Sequence, residues 1–408
     1  MKKLIKCGKL FNSQDGTISE KMAVLVDGAR IESVTPLSAW AGKPTEGLEV
    51  IDLSAMFVSP GLIDAHMHLA GNGETDGELD EVLRTVGGCA IKALAHVQED
   101  LLGGFTSVRA LGDMGYIDVA LRREIDAGTV WGPRIMASGP CIGSTGGHAD
   151  GHFSPYVEVA ISGGLIADGP NEVRKAARTV LKHGADLIKF MSTGGVMSRG
   201  TTVGAQQLTY EEIRAIVEVA EMYGVTTATH AHGTNGIKAA TRAGVTSVEH
   251  GMMLDPEAVD LMLEHGTYLV PTIIAANNII ENGVAAGIPA FMVDKAKQVF
   301  ERHEWGFRRC MEMGVRICFG TDTSTPFNYH GEQAYEFQLM EKFGMSPIKA
   351  LIAATRTNAQ MMRKWNEVGS VEAGKFADII AFAADPTKDA KEFMNCAFVM
   401  KGGVVYKS

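Results

Sequence analysis

No segment of the 408-residue chain approaches the roughly 18 uninterrupted apolar residues that a membrane-spanning helix needs, so no membrane partner is expected. Basic charge is equally scarce. Lys and Arg total 38 against 48 Asp and Glu, for a formal net charge of −10. No basic run is concentrated enough to hold a polyanion, which sets nucleic acid aside as a partner. Paired cysteines are missing too. Cys7, Cys89, Cys141, Cys310, Cys318 and Cys396 are scattered without CxxC spacing, which suits reduced, buried thiols in a cytoplasmic protein better than a disulfide framework. The basic opening Met1-Lys2-Lys3-Leu4-Ile5-Lys6 is followed by no apolar h-region or small-residue cleavage site, so no secretory signal is expected.

The chain does have an ordinary globular composition, 46% hydrophobic and 21% charged, and a rhythm. From about Leu62 to Ala354, short β-branched runs alternate with amphipathic stretches that carry helix caps. Asn171 precedes a helix that stops at Gly184; Thr209-Tyr210-Glu211-Glu212 is a capping box closed by Gly224. Asp255-Pro256 and Ser346-Pro347 each open a helix with proline in its first turn. Between the helices lie Gly61–Ala65, Thr106–Val108, Arg134–Ala137, Leu187–Phe190, Thr226–Thr229, Thr246–Glu249, Tyr268–Pro271 and Arg316–Phe319. Eight strands in strict alternation with helices predict an α/β fold, a (β/α)8 TIM barrel; a doubly wound open sheet is the alternative. Residues 1–57 and 366–408 have a different texture of short strands and turns. They predict a small β-sandwich domain formed from both termini, with the barrel spanning 58–365.

Active sites of such barrels lie at the C-terminal ends of the strands. There the sequence places His66-Met67-His68, Lys189, His230, His250 and Asp322. Residues two apart on a strand share a face, so His66 and His68 can reach one metal ion. An HxH alone is a weak signal. Metal-competent groups at five strand ends are a strong one, because burying several imidazoles and a carboxylate together is costly unless they are paired or metallated. Lys189 ends an apolar strand; it can salt-bridge Asp322 or a substrate carboxylate, or bridge two cations once carbamylated. Of the remaining histidines, His96, His183, His265 and His303 fall in helical stretches and are read as solvated. His148, His152, His232 and His330 fall in loops at the barrel mouth.

The run Val58-Ser59-Pro60-Gly61-Leu62-Ile63-Asp64-Ala65-His66-Met67-His68 resembles the opening strand of the amidohydrolase superfamily. Lys189, His230, His250 and Gly320-Thr321-Asp322 match its remaining ligand positions in order, and Gly369–Ile379 resembles its C-terminal signature. Arg109-Ala110 departs from the Arg-Asp that relatives often carry. Ser192–Val196, Gly146-Gly147-His148 and Thr229–Gly233 resemble the branch of prolidase-like Xaa-Pro dipeptidases, Xaa-Arg and Xaa-Lys dipeptidases, and ochratoxin-type N-acyl amino acid amidases.

This resemblance implies two divalent metal ions, zinc by default. His66, His68 and Asp322 would hold one, His230 and His250 the other, and carbamylated Lys189 would bridge them. A metal-bridging hydroxide would attack the amide carbonyl, with Asp322 as the catalytic proton shuttle. His148 and His232, then Arg199 and His330, are the expected groups for a substrate carboxylate. Xaa-Pro is favoured because the mouth loop Gly194–Met197 is apolar; a basic leaving residue would call for an acid such as Asp150 or Glu332. A single-metal imidazolonepropionase-like hydrolase or deaminase is the more distant alternative, and an inactive binding barrel is disfavoured because every ligand position is filled. A homo-oligomer acting on a small molecule is expected.

Overall fold

The computed structural model describes residues 2–76, 82–157, 159 and 163–408. The chain forms two compact units, one of Met1–Asp64, Gln98–Ser107 and Gly331–Ser408, the other of Ala65–Val97 and Val108–His330.

The first unit contains β1 (Lys2–Phe11), β2 (Ile18–Asp27), β3 (Arg30–Pro36) and β4 (Leu48–Pro60) from the N-terminal side. From the C-terminal side it takes β14 (Ile379–Phe382), β15 (Cys396–Lys401) and β16 (Val404–Lys407). These seven strands form one sheet, ordered β16-β15-β14-β4-β1-β2-β3. β4 is the seam, with β1 parallel on one side and β14 antiparallel on the other. Side chains alternate across the pleat, so Ile5 and Cys7, Val24 and Val26, and Phe398 and Met400 enter a common apolar core. The apolar run near the C-terminus is a hairpin: Gly402 and Gly403, at φ 54° and 74°, supply the left-handed pair that a two-residue turn needs.

The second unit is mixed α/β. β5 (Leu62–Met67) and β6 (Phe105–Ala110), whose C-terminal halves belong to this unit, form a three-stranded sheet with β7 (Arg134–Ala137). β8 (Cys141–Gly143), β9 (Gly164–Ile166), β10 (Leu187–Met191), β11 (Thr226–Ala231), β12 (Ser247–His250) and β13 (Tyr268–Val270) form a six-stranded one. Its order is β13-β12-β11-β10-β8-β9 and every pairing in it is parallel. The eighth expected strand, 316–319, is not a regular strand. It makes single parallel bridges, Leu269↔Ile317 on one side and Met67↔Thr323 on the other. Amide bonds flank them, Cys318 N to Leu269 O at 2.8 Å and Ala65 N to Phe319 O at 3.0 Å. Beyond this run, Asp322 and Ser324 take left-handed φ values of 57° and 97°.

The helix caps follow the local chemistry. Thr209 and Glu212 form a reciprocal capping box on Tyr210–Tyr223, which ends at Gly224 with φ 69°. Asp255 caps Pro256–His265 and Ser346 caps Pro347–Ile352. One boundary differs: the helix expected after Asn171 begins at Pro170, with Gly169 as its N-cap at φ 82°. Proline fits the first helical position, and glycine alone reaches that entry angle without strain.

The solvated reading of the four helical histidines fails for two of them. His96 and His303 are buried, because each lies on the inward face of its helix, while His183 and His265 are exposed. All six cysteines are free and buried. Among the described residues, no helix is long and apolar enough to cross a membrane.

Candidate active site

A cavity of about 270 Å³ opens in the second unit, and its lining includes His66, His68, Lys189, His230, His250 and Asp322. Strand geometry brings them together. His66 and His68 follow one another at the end of β5 with the two-residue period of a strand. Asp322 Oδ1 lies 3.3 Å from His66 Nε2 and 3.1 Å from His68 Nε2. One ligand atom from each of the three lies within 4.8 Å of the others, a set able to hold a metal ion. Asp322 and His250 both take left-handed backbone, φ 57° and 71°. For non-glycine residues this costs on the order of 1 kcal/mol and is characteristic of functional sites. The Asp322 amide is held there by His66 O at 2.7 Å.

His230, at the end of β11, is ringed by imidazoles. Ring centres of His148, His232 and His250 stand 4.2, 4.6 and 4.6 Å away. Burial, then the neighbouring histidines, push the His230 pKa well below the ordinary value, so this cluster is neutral and rich in lone pairs. Buried His230 Nε2 has no hydrogen-bond partner among the described residues, and such an atom is costly unless a ligand completes it. His250 Nδ1 meets Thr272 Oγ1 at 2.7 Å. Lys189 is 1% exposed; burial lowers the pKa of its amine against the opposing pull of Glu249 and Asp322. Asp322 goes the other way: burial raises it, but the His66 and His68 contacts prevail and hold it well below the usual carboxylate range.

The four residues expected to bind a substrate carboxylate separate. His148 lines the cavity, with Nδ1 at 2.9 Å from Ser198 Oγ. Burial drives its pKa down to about 4. It closes over Gly195, where an added Cβ would stand 2.3 Å from the ring, so the glycine is a spatial requirement. His232, His330 and Arg199 do not line the cavity. His330 stacks on His96 at 4.5 Å, with Nε2 at 3.2 Å from His68 O and 3.1 Å from Gly71 O. Arg199 pairs with Asp76 and lies over the Phe291 ring.

Several groups escaped the sequence reading. Arg84, Glu74 and Asp113 line the cavity beside Asp150, with Met114, Met191, Met197 and Met292 as its apolar surface. Arg84 and Glu74 lie in loops far from any strand end, so no periodicity marks them. Glu249 lies one residue before His250 in β12 and is fully buried, with Oε2 at 2.9 Å from His66 Nδ1. Its Oε1 accepts from Arg109 Nη2 at 2.8 Å. Burial raises its pKa, but Arg109 and His66 reverse this and bring it to about 2. An acidic residue directly before a strand-end histidine was the available signal.

A model of the amidohydrolase family matches residues 57–406. The Aspergillus niger ochratoxinase is 34% identical over 372 residues, 85% of this chain and 75% of that protein. A Xaa-Pro dipeptidase crystallised with bound methionine superimposes with a TM-score of 0.93 at 36% identity, over 100% of both chains. A prolidase complexed with N-methylphosphonate-L-proline gives 0.90 at 29%, also over 100% of both. The cluster of histidines, lysine and aspartate at these strand ends therefore lies in a chain that belongs to the amidohydrolase family, in its prolidase-like branch, and hydrolyses amide bonds.

Proposed function

We propose that the protein is a binuclear metal-dependent hydrolase that releases the C-terminal residue of dipeptides or N-acyl amino acids, with Xaa-Pro preferred. The observation that carries this reading is Asp322 Oδ1 within 3.3 Å of His66 Nε2 and 3.1 Å of His68 Nε2, on a cavity that Lys189, His230 and His250 also line. In this reading residues 316–323 are the eighth stave of a closed barrel spanning 58–365, and 1–57 with 366–408 form the sandwich domain. His66, His68 and Asp322 would hold one divalent cation and His230 and His250 a second. Lys189 would be a ligand to both as a carbamate, formed from its neutral amine and CO₂ with release of a proton; burial favours that neutral amine. Zinc suits this donor set. Bound divalent cations supply an acidified water and a polarised carbonyl.

The chain's own groups do the rest. Asp322 takes the proton of the attacking water and returns it to the leaving nitrogen. His148 and Arg84 receive the free carboxylate, and the four methionines pack an apolar leaving residue. Two relatives of known structure, a Xaa-Pro dipeptidase and a prolidase bound to a proline phosphonate, support proline. Asp150 and Glu74, which also line the cavity, support the second reading, a Xaa-Arg or Xaa-Lys dipeptidase. We assign the protein to the cytoplasm as a homo-oligomer; light scattering tests the assembly.

The deciding experiment is turnover of Xaa-Pro, Xaa-Arg and N-acyl amino acid libraries by metal-reconstituted protein. Fastest hydrolysis of Xaa-Pro is expected; preference for Xaa-Arg moves the assignment to the second reading, and no turnover of any member rejects both. Lys189→Ala should lower the metal content from about two ions per chain to about one, measured by elemental analysis. Undiminished loading would remove Lys189 from the centre.

A further inference from the structure

Three strands meet around one carboxylate in the interior of the second unit. Glu249 from β12 and Arg109 from β6 are both 0% exposed. The guanidinium is fully engaged: Nη2 donates to Glu249 Oε1 at 2.8 Å, Nη1 to Ser247 Oγ at 3.0 Å, and Nε to Ala65 O at 2.5 Å. Ala65 is the residue before His66 on β5. Ser247 Oγ in turn donates to Glu249 Oε1. The other carboxylate oxygen, Oε2, is left to His66 Nδ1 at 2.9 Å.

A buried ion pair of this kind adds little to stability, since desolvating two charges cancels most of their attraction, and apolar residues of similar volume often do as well. What it does supply is a fixed direction. An ionised carboxylate only accepts, so His66 Nδ1 carries a proton towards Oε2. The other ring nitrogen, Nε2, faces the Asp322 carboxylate at 3.3 Å and is the one that would give its lone pair to a cation bound there. Arg109 also anchors the backbone of β5 one residue away, so it constrains the position of the ring while Glu249 constrains its tautomer. His250 Nδ1 meets a neutral hydroxyl, which accepts or donates and therefore fixes nothing.

We infer that Glu249, locked by Arg109 and Ser247, is a positioning residue that makes His66 Nε2 the lone-pair donor of the metal centre. This rests on the metal-hydrolase reading above. Carboxylates behind a ligating imidazole raise its basicity and fix its orientation, and their loss weakens metal binding by about 10- to 100-fold.

The test is competitive titration of the metal-free full chain with Zn²⁺ against a chromophoric chelator, comparing the wild type with Glu249→Gln and Glu249→Asp. Glu249→Gln keeps the shape but removes the charge. Its amide can present NH₂ to His66 and reverse the tautomer, so affinity should fall by about 10- to 100-fold, with partial recovery in Glu249→Asp. Folded Glu249→Gln with wild-type Zn²⁺ affinity overturns the inference. If Glu249→Gln does not fold, Ser247→Ala decides. It removes one hydrogen bond from Oε1 and leaves no new charge, and should weaken Zn²⁺ several-fold; unchanged affinity again overturns the inference. Cobalt substitution gives a readout independent of turnover, because the exchangeable Nδ1 proton of a ligating His66 has a paramagnetically shifted resonance that Glu249→Gln should move or abolish. Wild-type protein that binds no divalent cation rejects the metal-hydrolase reading itself, whereas tight wild-type binding matched by Glu249→Gln rejects only the role of Glu249.

Discussion

The two units use their buried strands in opposite ways. The first contains none of the chain's 12 histidines; its sheet interior is Ile5, Val24, Val26, Ile379, Ala381 and similar residues, apolar groups that need no partner. The second contains all of them and buries His66, Lys189, Glu249 and Arg109 to 1% exposure or less. The sheet core of the first is made of groups that water rejects, whereas the second adds to an apolar core of its own a cluster of groups that water would solvate well. The first is therefore expected to act through stability, the second through binding and chemistry.

The largest expected effect lies in the second unit. Asp322→Asn should lower kcat/KM by about 10²- to 10⁴-fold, the usual weight of a general acid–base group. The rate is read at a temperature where circular dichroism shows the variant folded, because the change also removes the charge that His66 and His68 hold. A drop in melting temperature that accounts for the lost rate would erase the contrast between the units. Its counterpart is Ile379→Ala, fully buried between β4 and β15. Truncation there should cost about 2–5 kcal/mol of unfolding free energy, read by denaturant titration, while metal content and kcat/KM of the folded protein stay at wild-type values.

Acid should separate the units in one molecule. Burial brings His232 and His303 down to about 3, so below the ordinary histidine value the unfolded chain binds protons that the fold cannot. Stability present at pH 7 is then lost as pH falls through about 6.5 towards 3, by about 2 kcal/mol per histidine at pH 5. Hydrogen exchange of metal-free protein should show β10 to β13 loosening between pH 7 and pH 5 while β1, β2 and β14 hold. Uniform loosening would mean the histidine-free unit is no more acid-resistant. The smallest effect concerns a surface cap: Thr209→Ala removes one half of the reciprocal box with Glu212 and should cost about 1 kcal/mol, with no change in kcat/KM.

Much of the candidate site was legible because it is local. The two-residue spacing of His66 and His68 and the apolar runs ahead of Lys189 and His230 are properties of single strands. Two histidines were misjudged because helical periodicity says which face a residue occupies, not what covers that face. His303 looked like one polar residue among many on a charged helix, yet it is 1% exposed. Arg199 and His330 were reasonable as mouth-loop residues. The fold turns one to Asp76 and uses the other to brace the β5 loop.

By itself, the sequence determined most of the helices and strands, though not the irregular run 316–319, and which residues carry lone pairs and charge, since strand period, caps and turn glycines are read within a few residues. Only the tertiary structure decided what those groups face. Glu249 stands 140 positions from Arg109 and 183 from His66. Their meeting depends on three strands brought together by the packing of the whole second unit, and no local propensity encodes a distance of that kind.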